Sequence, residues 1–216
     1  QKYLGLIGTP TLDMCFEDGI EIARMRCASI GKFCSSDLMN GGRYVKVGDK
    51  WEWWKNTEDD ISKMEKALRE LDTLPMYWHE RRVAPNNLLS TVSEYVNRHK
   101  IECVFIDGAK DMLRPSGKYN DCGFEEETSQ TIVDMAQRLN IAVVVIHHLT
   151  KLSPNELITE GNVRGSGNIV SDCRSIYALQ GDKGGAGLDQ YVNPLAVQMD
   201  GDENCTTRVL DCLANN

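Results

Sequence analysis

Residues 143–151 read VVVIHHLTK, a run of β-branched apolar residues that ends at two histidines. A short, uniformly apolar run bounded by polar residues is typical of an inner strand in a parallel sheet covered on both faces. In open α/β sheets, ligands bind beyond the carboxyl ends of the strands. His147 and His148 are therefore predicted to lie at a ligand site. On this stretch alone, the simpler interpretation is one packed and one solvated histidine.

The composition indicates a single globular domain. The chain has 216 residues, of which 41% are hydrophobic and 26% charged, enough for one sizeable core or at most two small ones. No apolar stretch approaches the length of a membrane span and no signal peptide is visible, so a cytoplasmic protein is expected. The net charge of -8 argues against nucleic-acid binding by the whole surface, so any DNA contact would need a local basic patch.

The eight cysteines include no CxxC pair, and Cys103 lies inside an apolar run. We interpret them as reduced thiols of a cytosolic protein, neither a disulfide framework nor a zinc site.

The first half of the chain predicts strands, helices and one insertion. KYLGLIG (2–8) is interpreted as a strand, GTPTLDM (8–14) as a polar loop, and 16–33 as a helix with mostly helical apolar spacing. The aromatic and β-branched runs around Gly48 and Asp49 predict a β-hairpin insertion over about 42–54. Core packing or a subunit contact would each explain its tryptophans.

The rest of the chain predicts alternating helices and strands followed by a β-rich tail. Thr57 and Asp60 resemble a capping box at the start of a helix. After it come a short strand, a helix, a strand, a polar loop, a helix, a strand and a long loop, over 74–78, 86–99, 101–107, 112–123, 125–139, 141–146 and 153–168. Strands alternating with helices imply a mostly parallel sheet, and 175–180, 190–199 and 206–213 read as later strands.

Polar groups recur where the predicted strands end. VFID places Asp107 at a carboxyl edge, where a carboxylate can orient a hydrated Mg²⁺ against nucleotide phosphates. An isolated acid there would more simply cap the next helix. The set of four stretches favours nucleotide hydrolysis: TLDM, VFID, VVVIHHLTK and VRGSGNIVSDCRSIYAL.

In order and spacing these stretches resemble the motor domain of RecA-fold hexameric replicative helicases, the bacterial and phage DnaB-type group. The HH-x-x-K pattern is also similar to RepA-type plasmid helicases. The resemblance runs from about Thr9 to Leu179. It implies an α/β, RecA-like fold of the P-loop NTPase type, with one motor domain over 1–216, a hairpin insertion and a β-rich C-terminal part. It further implies ATP and Mg²⁺ as cofactors, single-stranded DNA as partner, a homo-oligomeric ring (hexamer), and a primase or loader partner.

The resemblance assigns catalytic roles to three residues. The family's water-polarising acid is usually Glu, and TLDM offers Asp13 at that position. Asp107 matches the acid that holds Mg²⁺ through water. His148 matches the polar sensor that reads the γ-phosphate and couples it to a DNA loop, with His147 as its neighbour.

The family's two DNA-contacting loops correspond here to about 112–123 and 151–168. They hold Arg114 and Lys118 in the first loop, and Lys151 and Arg164 in the second. Arg164 could instead support its loop, because RGSG is expected to open a turn and a short helix before SIYAL. For any single lysine, a surface loop with incidental charge is the alternative.

Two departures from the family pattern matter. No G-x-x-x-x-G-K-[ST] occurs in the sequence, so the loop that cradles phosphates is absent from these residues. Either the domain is incomplete at its N-terminus or the protein is a degenerate relative. The segment VQMDGDENCTTRVL is acidic where the family carries a basic cluster, and Arg208 is displaced.

Three interpretations therefore remain open. The first is an ATP-dependent helicase motor domain. The second is a ring or loader subunit that binds DNA without hydrolysing ATP, favoured by the shorter Asp13 and the acidic late segment. The third is another RecA-fold ATPase, such as a recombinase or a clock-type regulator, which the VRGSGN segment fits less well.

Overall fold

A computed structural model describes residues 2–16, 19–30, 41–48, 50–108, 122–148, 158–163, 167–181 and 208–215. The chain divides into two compact units. Unit 1 comprises residues 1–115 and 135–146, and unit 2 comprises residues 116–134 and 147–216. None of the helices in the described ranges is both long and apolar enough to cross a membrane.

Unit 1 is built on a four-stranded parallel sheet. Its strands are β1 (Thr11–Cys15), β4 (Met76–His79), β5 (Cys103–Asp107) and β6 (Ala142–Ile146), and they lie in the order β4-β1-β5-β6. Parallel strands need a crossover between them, which helices supply. The crossover β1 to β4 also contains the hairpin of β2 (Gly42–Val47) and β3 (Lys50–Lys55). This architecture confirms the predicted α/β fold class.

Helices cover both faces of the sheet at β4. On one face, α2 (Ile20–Ser29) and α3 (Glu58–Leu71) contribute to a buried cluster of Ala28, Ala67, Leu71 and Met76, with Trp78 packed against it. On the other face, α4 (Pro85–His99) is joined to β4 by ring contacts of Tyr77 with His99 and of His79 with Tyr95. Alternate residues of β4 therefore point to opposite faces of the sheet and contact different helices, as expected for a strand.

Local sequence signals set the ends of these helices. The Thr57 hydroxyl accepts from the Asp60 backbone N–H, and the Asp60 carboxylate accepts from the Thr57 backbone N–H, which confirms the predicted capping box of α3. Pro85 opens α4, where a missing N–H costs no hydrogen bond. Lys100 ends α4 with a left-handed φ of 58° and donates its N–H to the Val96 carbonyl.

Unit 2 contains the first part of α5 (Cys122–Leu139), a short 3₁₀ turn (Glu160–Asn162) and α6 (Gly167–Asp172). Its strands β7 (Ser175–Gly181) and β8 (Arg208–Asn215) pair antiparallel. The predicted short helix before SIYAL and the strand-rich tail are confirmed over these residues. The expected strand at 190–199 lies outside the described residues.

Two predictions about strands are wrong or unmet. The first described element is a helix, α1 (Lys2–Leu6), and the first strand is TLDMC, which had been assigned to a loop. Strand β6 lies at the edge of the described sheet, with Val144 and Ile146 43% and 50% exposed. Uniform apolar character predicts a strand but does not by itself distinguish an edge from an interior position.

Candidate active site

Two carboxylates share one face of the parallel sheet. Asp13 is the third residue of β1, and Asp107 is the last residue of β5. In the register of the two strands, Asp13 lies beside Phe105 and Cys15 lies beside Asp107. Because residues two apart on a strand point to the same face, Asp13, Cys15 and Asp107 face the same layer.

Asp13 is a buried acid. It is 9% exposed, and its Oδ1 atom has no hydrogen-bond partner among the described residues. Burial raises its pKa from 3.8 to about 6, and the nearby Asp107 carboxylate acts in the same direction, while a hydrogen bond from Cys15 acts against both. The carboxylate is therefore still mostly ionised at neutral pH, but it is poised to accept a proton.

Two thiols line the same region. Burial, followed by the Asp13 charge, raises the pKa of Cys15 and of Cys27, the latter on α2. Both sulfurs therefore stay protonated at neutral pH, and a protonated thiol is a poor nucleophile and a poor metal ligand. The two carboxylates are therefore the groups on this face that can bind a metal or accept a proton.

The donor set fits a hydrated magnesium ion. Mg²⁺ prefers oxygen ligands, keeps several waters, and is usually held by one or two carboxylates together with substrate phosphates. Asp107 supplies such oxygens, and the nearby Asp13 Oδ1, buried with no hydrogen-bond partner in the described part of the chain, could accept a hydrogen bond from water there. Within the described ranges no group of three or more acidic, histidine or cysteine side chains could hold a metal by itself. A bound Mg²⁺ would thus need water and phosphate to complete its shell.

The two histidines directly follow β6. Ile146, the last residue of that strand, pairs with Asp107, and His147 and His148 come next in the chain. His147 is half-buried and His148 is exposed, as the simpler interpretation of one packed and one solvated histidine expects. Both belong to unit 2, and the sensor role of His148 stays a prediction.

The predicted DNA-binding residues Arg114, Lys118, Lys151 and Arg164 lie outside the described residues. Their roles stay predictions that come from the family resemblance.

Sequence reasoning missed the buried surroundings of Asp13. Thr11 and Cys15 lie two residues to either side of it on β1, and the Thr11 hydroxyl is buried without a hydrogen-bond partner in the described structure. The two-residue period would have identified both side chains if TLDMC had been recognised as a strand. No local pattern points to Cys27, which α2 brings to the site through tertiary packing.

The fold is shared with solved ATPase structures. A DnaB-like replicative helicase, solved in a study of its interactions with primase, matches with a TM-score of 0.64 at 16% identity over 83% of this chain. A second structure, of an isolated ATPase domain, matches with a TM-score of 0.67 at 15% identity, over 97% of this chain and 72% of that one. The KaiC-like protein PH0186 from Pyrococcus horikoshii OT3 matches with a TM-score of 0.51 at 12% identity, over 98% of this chain and 68% of that one.

These likenesses confirm the predicted RecA-like fold. The chain spans 42% of the DnaB-like helicase chain. No protein-family model matches the sequence, and a search of curated proteins finds no match.

Proposed function

We propose that this chain is part of an ATP-dependent replicative DNA helicase that moves along single-stranded DNA. The observation that carries the proposal is the pair Asp13 and Asp107 on one face of a parallel sheet, within a fold also found in a DnaB-like replicative helicase. Like that protein's class, it would act as a homo-oligomeric ring, with six subunits expected, in the cytoplasm. A primase or a loader would be its protein partner.

Asp107 holds the metal in this mechanism. It ends β5 at the carboxyl edge of the sheet, where open α/β folds bind their ligands. Mg²⁺ bound there with ATP would supply positive charge that neutralises the phosphates. The Asp107 carboxylate would hold and orient that hydrated ion.

Asp13 positions the attacking water. Its pKa of about 6 lies close to neutrality, where a carboxylate is ionised yet basic enough to accept a proton from water. The side chain is one methylene shorter than the glutamate usual in the family, so its oxygen reaches less far from β1. We therefore expect a functional but slow water-polarising group.

His148 couples nucleotide state to DNA in the proposal. It begins the segment that leads to Lys151 and Arg164, and a hydrogen bond from its ring to the γ-phosphate would move that segment when the phosphate is lost. Arg114 and Lys118 would provide phosphate contacts from the other loop. Such contacts supply affinity through counterion release and do not read sequence.

The hydrolysis test uses the full-length protein, because the 216 residues alone contain no phosphate-binding loop motif and are expected to bind ATP only weakly. DNA-stimulated ATP hydrolysis should be abolished by Asp107→Asn. Asp13→Ala should lower kcat with nucleotide affinity nearly intact, because a water-positioning acid acts in the transition state. Asp13→Glu should raise kcat, and an unchanged or lower kcat would contradict the match of Asp13 to the family's glutamate.

The coupling test measures oligonucleotide affinity by fluorescence anisotropy with an ATP analogue and with ADP. His148→Ala should remove the difference between the two nucleotide states, whereas Lys151→Ala should weaken binding in both and reduce its salt dependence. A folded His148→Ala protein that keeps the full difference would end the sensor role.

A second candidate function is a ring or loader subunit that binds DNA without hydrolysing ATP. It is favoured by Asp13 in place of glutamate and by the acidic segment VQMDGDENCTTRVL where the family carries a basic cluster. The two functions separate in the same assay. Hydrolysis by the unaltered protein no faster than by Asp107→Asn, together with retained DNA binding, would favour the non-hydrolysing subunit.

A further inference from the structure

The β2–β3 hairpin presents tryptophans to solvent. Trp51, Trp53 and Trp54 are 66%, 42% and 49% exposed, although a protein normally buries most of so large an apolar side chain. Core packing, one of the two explanations that the sequence left open, is therefore contradicted for these rings. The proposed hydrolysis and the two DNA loops use none of the hairpin residues.

The register of the hairpin sorts its side chains onto two unlike faces. Opposite residues of an antiparallel pair share a face, and so do residues two apart on one strand. One face, which we call the aromatic face, carries Trp51, Trp53 and Lys55 beside Gly42. The opposite face is mixed and includes an acid among its described residues Val47, Lys50, Glu52 and Trp54.

Gly42 supports the position of Trp53 on the aromatic face. A Cβ atom at Gly42 would lie 2.3 Å from the Trp54 carbonyl oxygen and 3.0 Å from Cζ2 of Trp53. The indole of Trp53 therefore lies over the bare backbone of Gly42, a place that only glycine leaves open. The base of the hairpin is closed by a hydrogen bond of 3.0 Å from the Asn56 N–H to the Gly41 carbonyl. These contacts hold the aromatic face in place while its rings remain accessible.

The charge of the hairpin differs from that of the whole chain. Residues 42–55 contain more basic than acidic side chains, whereas the chain carries a net charge of -8. The hairpin is thus a local basic patch of the kind that an acidic protein needs in order to approach a polyanion. A second copy docked face to face would place this basic patch against its own copy, because a two-fold interface repeats the same patch on both sides.

We propose that the aromatic face binds single-stranded nucleic acid, with bases stacked on Trp51 and Trp53 and a phosphate near Lys55. Aromatic rings beside basic residues are the usual means of holding unpaired bases without sequence preference. The two tryptophans are separated by two strand steps, about 6.7 Å, which is about twice the roughly 3.4 Å rise between stacked bases. One unstacked base fits that interval, whereas a duplex keeps its base faces within its own stack.

This inference rests on the DNA binding of the proposed function and extends it to a surface outside the two loops. It predicts that the hairpin contributes affinity of its own. Removing one stacking ring should cost about 1–3 kcal/mol of binding free energy, equivalent to about 5- to 140-fold in Kd.

The test measures binding of a fluorescent oligothymidylate to the 216-residue chain, by anisotropy and by quenching of tryptophan emission. Trp51→Ala and Trp53→Ala should each weaken binding about 5- to 140-fold. Trp54→Ala, an equally large change on the opposite face, should leave Kd within about twofold. Lys55→Ala should reduce the slope of log affinity against log salt by about one, while its control on the opposite face, Lys50→Ala, should reduce it less.

Several outcomes would overturn the inference. Equal effects of Trp51→Ala and Trp54→Ala would show that binding does not depend on the aromatic face. Binding of duplex DNA as tight as binding of the single strand would contradict the stacking of unpaired bases. Concentration-dependent dimers in sedimentation, lost in Trp51→Ala without any change in Kd for DNA, would assign the hairpin to a second copy. Absence of oligothymidylate binding by the unaltered chain would also contradict the inference.

The same measurements separate this inference from the proposed function. If Lys118→Ala and Lys151→Ala weaken binding while the tryptophan variants do not, the loops act as proposed and the hairpin does not. If the tryptophan variants weaken binding but Asp107→Asn leaves ATP hydrolysis unchanged in the full-length protein, the hairpin site stands and the helicase proposal fails.

Discussion

The Asp13 face of the parallel sheet and the β2–β3 hairpin both depart from the usual distribution of polar residues on the surface and apolar residues in the core, but in opposite ways. The sheet buries a carboxylate of which one oxygen has no hydrogen-bond partner in the described structure. The hairpin exposes three tryptophans. Buried polar groups and exposed large apolar groups are the informative exceptions in a folded protein, and both regions are the ones that the proposals assign to ligands.

The two departures have different energetic consequences. Burial of Asp13 raises the free energy of the folded state, because charging a desolvated carboxylate is unfavourable. Exposure of the tryptophans adds no such penalty but contributes little to folding. Substitutions at the two places should therefore separate into large changes at the sheet and small changes at the hairpin.

The largest effect is expected for Asp13→Asn. The folded pKa of Asp13 is raised from 3.8 to about 6, so the folded state binds more protons than the unfolded state within that interval. Stability of the unaltered protein consequently falls as pH rises through it, and the loss is complete above the folded pKa. At about 1.36 kcal/mol per pKa unit, the penalty near neutral pH is about 3 kcal/mol.

Urea denaturation at about pH 7.5 should show Asp13→Asn to be more stable than the unaltered chain by up to about 3 kcal/mol, and by close to zero near pH 4. Glu102→Gln, which neutralises an exposed carboxylate just before β5, is the matched control and should change stability little at either pH. An equal gain for Asp13→Asn at both pH values would mean that packing, and not charge, is responsible.

A smaller effect is expected for Asp107→Asn on the titration of Asp13. The Asp107 charge is the second cause of the raised pKa of Asp13, after burial. Neutralising it should lower the pKa of Asp13 from about 6, yet leave it above 3.8 because burial persists. Carbon-detected NMR of the Asp13 carboxyl group measures this directly. An unchanged titration curve would show that the two carboxylates do not interact.

These two acids also mark what the sequence could and could not predict. VFID identified Asp107 at the end of a buried strand, because a long apolar run that stops at an acid has one simple interpretation. TLDMC was not recognised as a strand, because Thr9, Pro10, Thr11 and Asp13 give GTPTLDM the polar character of a loop. Tertiary packing overrides that pattern: α2 and α3 cover the same sheet face at β4, and all five residues of β1 are buried.

For the hairpin, the sequence predicted the strands but not whether their side chains are buried. Gly48, Asp49 and the aromatic runs around them made the turn and both strands predictable, and Gly48 adopts the φ of 61° that favours glycine. Whether the tryptophans would be buried could not be predicted, because aromatic residues suit a strand equally well in a core or on a surface. The faces of the hairpin became distinguishable only once its register was known.

A still smaller effect, on the pH dependence of folding stability, is expected at His79, on the sheet face opposite Asp13. This ring is half-buried, and its Nδ1 atom lies 3.2 Å from the Tyr95 hydroxyl, whereas its Nε2 atom, like Asp13 Oδ1, is buried with no hydrogen-bond partner among the described residues. Burial lowers the pKa of His79 below 6.5. The unfolded state therefore takes up a proton first as the pH falls below 6.5, and folding stability decreases until the folded pKa is reached.

Replacement of His79 by Gln should remove the decrease in folding stability that protonation of His79 in the unfolded state causes as the pH falls. Urea midpoints between about pH 7.5 and 5 measure this decrease. Tyr95→Phe, which keeps the ring but deletes the hydroxyl, should lower stability by about 1 kcal/mol through loss of one hydrogen bond. A pH dependence identical in the unaltered chain and in His79→Gln would show that this histidine is not desolvated.

The smallest effect is expected for Trp51→Ala and Trp53→Ala on folding stability. Substitutions of exposed side chains usually change it by no more than about 0.5 kcal/mol, and these rings are 66% and 42% exposed. Trp78→Ala is the matched control, because the same substitution there removes a ring packed against the buried cluster of Ala28, Ala67, Leu71 and Met76. Loss of well-packed aromatic rings costs about 3–5 kcal/mol, and a partly buried ring should approach the lower end. Urea denaturation followed by far-UV circular dichroism avoids the spectral change that loss of a tryptophan itself causes. If Trp51→Ala destabilised the chain as much as Trp78→Ala, the hairpin would be a folding element, and its exposed rings would need no ligand to explain them.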